Sequence, residues 1–240
     1  MSLTYAQWSA QIANLAGGTQ LQSDSNFQAM LPSAIDDAEQ RLYRQLDLIN
    51  TITRDSTSAL TAGLRTFNLP SSIGTFVVTE DINVITPAGQ SNPDSGTRNS
   101  LVPASKEMLD FLWNSSNGST VPVYFAPVTQ GQIVVGPWPD QPYQVEVVGT
   151  IRPAALSSSN VTTLLSWYFP DCLIAASMVF VTGYMKNYGA AVDDPKQGVT
   201  WESHLGALLQ SASVEEQRKK FASQGWSPKE PAPLATPPRN

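Results

Sequence analysis

The feature that most constrains this chain is an apolar segment that starts at Pro170 and runs to Met185. Proline suits the first turn of a helix, and Asn187 and Gly189 are typical of a helix end, so one helix is predicted. Because its apolar residues cover almost the whole circumference, other protein must pack against most of its faces, from this subunit or from a neighbouring one. The segment is shorter than the roughly 20 residues that span a membrane. We interpret it as a buried helix.

Two further helices are predicted near the N-terminus. Thr4 and Gln7 are spaced as a capping box at the start of a helix over residues 4–16. A second apolar stripe predicts a helix from Met30 to Leu46, with Pro32 in its first turn. The opposite face of this second helix is predicted to be polar, and it carries Asp36, Asp37, Glu39, Arg41 and Arg44.

The pattern changes to β between residues 51 and 152, where Pro and Gly punctuate every connection. Gln130-Gly131 indicates the turn of a hairpin. A short helix is predicted from Ser105 to Trp113, and the composition of Gly89 to Ser100 is that of a mobile loop. The predicted strand regions are Arg65–Pro70, Phe76–Val78, Val121–Val128, Gln132–Val135 and Tyr143–Ile151.

A last helix is predicted from about Pro195 to Ser223, with a break at a possible Ser213/Glu216 capping box. Five prolines after Gly225 exclude a helix or a central strand there, so an extended tail is expected. The order of elements predicts an α+β fold in which a helical bundle, formed by residues 1–50 and 156–224, carries a β-rich insert. The insert covers residues 51–155, and the Pro-rich tail covers residues 225–240.

Charge argues against a tight complex with duplex DNA. Only 14% of residues are charged, the net charge is −6, and Lys and Arg form no cluster of the kind that follows a phosphate backbone. A surface with so few charges favours contacts with other protein. A weakly acidic wall also suits a channel through which DNA slides.

The inventory of reactive residues argues against an enzyme, a cofactor or a metal site. His204 is the only histidine and Cys172 the only cysteine, so a structural zinc site is excluded. Cys172 is expected in the core, and the acidic pairs Glu80/Asp81, Asp193/Asp194 and Glu215/Glu216 are expected on the solvated surface. No Gly-rich phosphate loop is present, and the N-terminus has no signal-peptide pattern.

The aromatic residues of the β-rich insert leave two interpretations open. Tyr124, Phe125, Trp138 and Tyr143 could form a stacking platform for sugars or bases, or they could serve core packing and protein contacts. The lack of flanking positive charge favours the second interpretation.

Several segments, taken together in order and spacing, resemble the head-to-tail adaptor proteins of tailed bacteriophages. The resemblance spans about residues 30–187 and includes no catalytic motif. The segments are Leu31–Leu48, Pro122–Ala126, Pro137–Asp140 with Tyr143, Arg152-Pro153 with Leu156-Ser157, and Tyr168–Asp171 continuing to Tyr184–Asn187.

The resemblance implies a virion protein of the neck, assembled in the host cytoplasm as a ring of about twelve copies below the portal. DNA would pass through the lumen without specific binding, and nozzle or fibre proteins of the tail would bind the far side. A C-terminal extension commonly grips the portal in such proteins, which makes Phe221, Trp226, Pro228 and Leu234 the candidate portal contacts. The candidate contacts with a neighbour or a tail protein are Trp113, Trp138 and Tyr143.

Two other classes of function compete with the adaptor interpretation. A carbohydrate- or receptor-binding module of a phage tail would act as a monomer through Trp138 or Tyr143. A small-substrate hydrolase would depend on one of the clustered acids. Neither would need a closed ring or a portal.

Overall fold

The structure is a computed structural model that describes residues 2–90, 92–185 and 197–223. It has an α+β fold. The helices of this part of the chain are α1 (Tyr5–Ala16), α2 (Ser25–Gln45), α3 (Lys106–Leu112), α4 (Leu164–Tyr168), α5 (Pro170–Met185) and α6 (Gln197–Ser223). The strands are β1 (Ile52–Ala59), β2 (Thr66–Asn68), β3 (Thr75–Thr86), β4 (Thr97–Ser100), β5 (Val102–Pro103), β6 (Tyr124–Thr129), β7 (Gln132–Gly136) and β8 (Gln144–Arg152).

The apolar helix α5 lies at the centre of the helical part, as predicted. It packs against α1, α2, α4 and α6, and its residues share one hydrophobic core with those helices. Trp8 of α1 is fully buried, and its indole Nε1 donates a hydrogen bond of 3.2 Å to Ser177 Oγ of α5. Cys172 is also buried in this core, and burial raises the pKa of its thiol to about 12. The cover over α5 is therefore supplied by this chain itself.

The predicted start of α2 was wrong, although the helix itself is confirmed. It begins at Ser25 because Asp24 caps it, and Asp24 Oδ1 accepts from the backbone N–H of Asn26 at 2.7 Å. Phe27 of the added turn is buried in the helical core. Pro32 consequently lies inside the helix, not in its first turn.

The predicted break in α6 was also wrong, since the helix continues through Ser213 and Glu216. Glu216 is buried, and its carboxylate accepts a hydrogen bond of 2.9 Å from the backbone N–H of Ile49. Glu216 was predicted to be part of a helix cap on the surface, but its hydrogen bond joins α6 to the chain between α2 and β1. The predicted start of this helix at Pro195 lies outside the described residues.

Two four-stranded sheets form the β-rich part. Sheet 1 has the order β1-β8-β3-β4, and sheet 2 has the order β2-β7-β6-β5. The predicted hairpin at Gln130-Gly131 is confirmed, because β6 and β7 pair as antiparallel neighbours on either side of it. Buried residues of both sheets, including Phe67 of β2 and Val147 of β8, form one core, so the sheets pack face to face.

Sequence patterns did not predict two strands of sheet 1. The edge strand β1 is mostly polar, and its irregular register is stabilised by Asp55, which accepts hydrogen bonds from Thr57 and Ser72. The predicted loop Gly89–Ser100 was partly wrong, since Thr97–Ser100 pairs with β3 as β4. Both strands lie at the edges of the sheet, where one side meets water and the apolar pattern is weak.

Candidate interaction surfaces

The short helix α3 packs on sheet 2 and gathers aromatic residues at its C-terminal end. Ser105 caps the helix, and Leu109 is buried against Ala126 and Val134. The Trp113 ring lies 5.6 Å from the Tyr124 ring, and Trp138 Nε1 donates a 3.0 Å hydrogen bond to the Trp113 carbonyl oxygen. The structure thus brings together two of the three residues that the sequence singled out as contacts.

A partly buried cation completes this aromatic cluster. The Arg65 guanidinium lies 5.5 Å from the centre of the Trp138 ring, and Arg65 Nη1 is 2.9 Å from Asp110 Oδ1 on α3. Arg65 therefore covers one side of Trp138 while pairing with the helix above it. Trp138 is half-buried and hydrogen-bonded, and this arrangement is unlike an open stacking platform for a sugar.

The outer face of α3 is apolar and open to solvent. Phe111 is 83% exposed, the largest exposed fraction among the large apolar side chains of the described residues, and Met108 and Leu112 are beside it on the same helix. Phe111 was not singled out from the sequence. A seven-residue helix that buries only Leu109 leaves these side chains free to contact another protein.

Tyr143 lies apart from this cluster. Its ring is buried in the core between the two sheets, and its hydroxyl donates a 2.8 Å hydrogen bond to Asp140 Oδ1. Burial, with the hydrogen bond to Asp140 and that residue's charge, raises the pKa of Tyr143 to about 12. The side chain is therefore placed to stabilise the connection between β7 and β8, and only 4% of the residue is exposed.

The outer face of sheet 1 is organised around the buried carboxylate of Glu146 on β8. Arg98 on β4 donates to it from Nε at 3.0 Å and from Nη2 at 3.1 Å. Arg54 on β1 lies 3.5 Å from the same carboxylate, and Asn83 on β3 donates at 3.4 Å. Side chains from all four strands of sheet 1 therefore meet at one acid, which stabilises the strand order and leaves a polar face.

Glu39 was predicted on the polar face of α2, but the structure buries it. Its Oε1 accepts a 3.1 Å hydrogen bond from the backbone N–H of Leu156 and lies 3.4 Å from Thr163 Oγ1. Burial raises the pKa of Glu39 to about 7, against the lowering effect of those two hydrogen bonds. The carboxyl group joins α2 to the segment that follows β8.

The remaining polar face of α2 lines an open groove of about 750 Å³. Its walls include Asp36, Asp37 and Arg44, with Phe180 of α5 at its side. Arg41 closes part of the groove by pairing with Glu202 of α6, with 2.8 Å between Nη1 and Oε2. Charges of both signs line this groove, so it favours a polar partner surface of mixed charge.

The candidate portal contacts are mostly beyond the residues that can be described. Phe221 belongs to the last turn of α6 by its backbone. Trp226, Pro228 and Leu234 lie outside the described residues, as does the Pro-rich tail in which they occur.

Residues that could support catalysis are dispersed. His204 is exposed on α6 and has its ring 5.9 Å from that of Trp201. Within residues 2–90, 92–185 and 197–223, no group of three or more His, Cys, Asp and Glu side chains could hold a metal ion. In the same part of the chain, none of the helices combines the length and the apolar character needed to cross a bilayer.

Comparison with known families decides the class of protein. The family described as SU10 adaptor protein matches residues 3–229, which is nearly the whole chain. The chain belongs to the SU10 adaptor family. A search of curated proteins found no match.

Membership in this adaptor family agrees with the resemblance to phage head-to-tail adaptors that was noted from the sequence. The role of such a protein is structural, and its place is the neck of the phage particle. The matched residues include the helical part and both sheets. The aromatic cluster and the apolar face of α3 are therefore parts of an adaptor subunit.

Proposed function

We propose that this adaptor forms a ring of about twelve copies below the portal, seals the path of the DNA and offers a platform to the tail. The family match over residues 3–229 carries this proposal, because it extends over both the helical and the β-rich parts. No covalent chemistry is required. The work of the protein is to hold several partners in a fixed geometry.

The helical part is proposed to form the portal side of the ring and its subunit contacts. The groove along α2 presents charges of both signs, which suits a head-to-tail contact between identical subunits. The residues of the C-terminal segment that would grip the portal are Phe221, Trp226, Pro228 and Leu234. The assignment of these residues to the portal contact rests on the resemblance to adaptors that grip the portal with a C-terminal extension.

The β-rich part is proposed to face the tail. The exposed ring of Phe111, with Met108 and Leu112, supplies the apolar centre that a stable contact with a nozzle or fibre protein needs. Trp113 and Trp138 would contribute their half-exposed edges. Tyr143 would act indirectly by stabilising the chain next to Trp138, because its own ring is buried.

The ring and its orientation can be tested by electron microscopy of the portal mixed with this protein. We expect a second ring beneath the portal, with its helical part toward the portal and its β-rich part away from it. A portal without added density would contradict the proposal, and an inverted ring would contradict the assignment of its two faces.

A further inference from the structure

The connection between α3 and β6 contains the one Asn-Gly pair of the sequence, Asn117-Gly118. Both residues are exposed and lie in a turn. Within this connection, Ser119 Oγ donates a 2.7 Å hydrogen bond to the Ser116 carbonyl oxygen. The Thr120 N–H donates at 2.9 Å to the carbonyl oxygen of Trp138. The pair is therefore held in a defined turn whose outer side meets water.

The backbone nitrogen of Gly118 is accessible. The φ angle of Gly118 is +83°, a conformation that glycine adopts far more readily than residues with a Cβ. Apart from its neighbours in the chain, a Cβ added at this position would have no atom within 4 Å, so the peptide bond that joins Asn117 to Gly118 is not crowded. The N–H of Gly118 also has no hydrogen-bond acceptor among the residues that the structure describes. This nitrogen is therefore open to the side chain of Asn117.

The side-chain amide of Asn117 is also free, unlike those of several other asparagines. In the part of the chain that the structure describes, no hydrogen bond joins the Asn117 side chain to another group. By contrast, the Nδ2 atoms of Asn83, Asn99 and Asn160 each donate at least one hydrogen bond of 3.0 Å or less. Asn92 precedes a proline, which has no backbone N–H. Asn117 thus combines a free amide with an accessible backbone nitrogen in the next residue.

We propose that Asn117 is a site of spontaneous deamidation. The backbone nitrogen of Gly118 attacks Cγ of Asn117 and forms a C–N bond, while the bond between Cγ and Nδ2 breaks. The proton of the Gly118 N–H leaves with Nδ2 as ammonia, so the product is a succinimide ring. Because the reacting atoms belong to adjacent residues, the step is intramolecular and needs no enzyme.

Water then opens the ring in one of two ways. Addition of a water molecule at Cγ gives aspartate at position 117, and addition at the backbone carbonyl carbon gives isoaspartate, whose main chain runs through the former side chain. Either product carries a carboxylate that is ionised at neutral pH, so the net charge becomes more negative than −6. The new charge lies in the connection that follows α3. This inference goes beyond the proposed function, because the reaction needs neither a ring nor a portal.

Incubation of the full chain in a mildly alkaline buffer, followed by peptide mapping with mass spectrometry, tests the site. We expect Asn117 to deamidate at least tenfold faster than Asn114, an exposed asparagine of the same connection. The residue after Asn114 is Ser115, whose Cβ hinders the approach of a side chain to its backbone nitrogen. Equal rates at the two asparagines would overturn the proposal.

Two variants test the route through the Gly118 nitrogen. Gly118→Ala adds a Cβ beside the attacking atom, in a place with room for it, and should slow the reaction at Asn117 at least tenfold. Asn117→Gln keeps an amide but needs a larger ring for the attack, so its peptide should stay unmodified over the same period. An unchanged rate in Gly118→Ala would overturn the route.

The products provide a second test of the same route. Fragmentation of the wild-type peptide should identify isoaspartate beside aspartate, because both come from the succinimide ring. Direct hydrolysis of the side-chain amide gives aspartate alone. Aspartate without isoaspartate would therefore overturn the attack by the Gly118 nitrogen.

A synthetic peptide of residues 114–120 shows what the fold contributes. Because the structure leaves both reacting groups open, the rate at Asn117 in the folded chain should lie within tenfold of the rate in the peptide. A folded chain that reacts more slowly than this would overturn the proposal. None of these measurements uses a portal, so their failure would leave the proposed adaptor function intact.

Discussion

The carboxyl group of Glu39 in α2 accepts a hydrogen bond from the backbone N–H of Leu156 at 3.1 Å. The two residues are 117 positions apart, on opposite sides of the whole β-rich part in the sequence. This bond ties the chain that enters the sheets to the chain that leaves them. Its acceptor is a buried acid with a pKa raised to about 7, so the link is sensitive to pH.

Stability should therefore fall as the pH rises through the range between about 4.5 and 7. In this range the folded protein keeps the Glu39 proton while the unfolded chain has lost it, so proton binding favours the folded state less as the pH increases. The total change is on the order of 3 kcal/mol. Urea unfolding of the wild type and Glu39→Gln at several pH values measures it. We expect the glutamine variant to lose most of this slope. Asp37→Asn, at an exposed acid of the same helix, is the control and should keep the wild-type slope.

Removing the hydroxyl at Ser177 should destabilise the helical core. Ser177→Ala leaves the Nε1–H of the fully buried Trp8 without its acceptor, at a cost of about 1–3 kcal/mol. Ser203→Ala, at an exposed serine of α6, is the matched control and should change stability by less than about 0.5 kcal/mol. Equal stabilities of the two variants, measured by urea unfolding, would mean that this contact contributes little.

Substitutions at two residues of α3 should have different effects, one on stability and the other on attachment of the tail. Leu109→Ala removes a fully buried side chain and should cost about 2–5 kcal/mol of unfolding free energy. Phe111→Ala should leave the unfolding free energy within about 0.5 kcal/mol, because that ring is exposed. The same variant should weaken attachment of the tail to the assembled ring by at least tenfold, measured by co-sedimentation. Val199→Ala, at a 70% exposed residue of α6, is the control. Normal tail attachment by Phe111→Ala would show that α3 does not contact the tail.

Loss of the C-terminal segment should weaken portal binding. A chain that ends at Ser223 lacks Trp226, Pro228 and Leu234, and we expect its affinity for the portal to fall at least tenfold in surface plasmon resonance. The paired variant Trp113→Ala with Trp138→Ala keeps the segment and should bind the portal normally. Full affinity of the shortened chain would show that the segment does not grip the portal.

Sequence patterns predicted the elements that local chemistry determines. The Thr4 capping box starts α1, Ser105 caps α3 and Pro170 opens α5, because each signal acts within one helical turn. The patterns failed where the burial of a residue depends on a partner that is distant in the sequence. Glu39 looked like a surface residue beside Asp36 and Asp37, and its contacts with the distant Leu156 and Thr163 are what accompany its burial.

The surfaces were harder to predict than the elements. Trp113 and Trp138 were both singled out, but their contact depends on how α3 folds back onto sheet 2. Phe111 carries no signal of its own in the sequence, since an apolar residue in a short helix normally faces inward. The edge strand β1 was missed because polar residues dominate it and only Asp55 is buried.

Mass photometry of the portal before and after mixing with this protein tests the central claim most directly. Each bound subunit adds 25.9 kDa. The ring proposal predicts a single new species in which the portal has gained about twelve copies, even if the free protein is monomeric. A portal whose mass stays unchanged at a high concentration of added protein would contradict it.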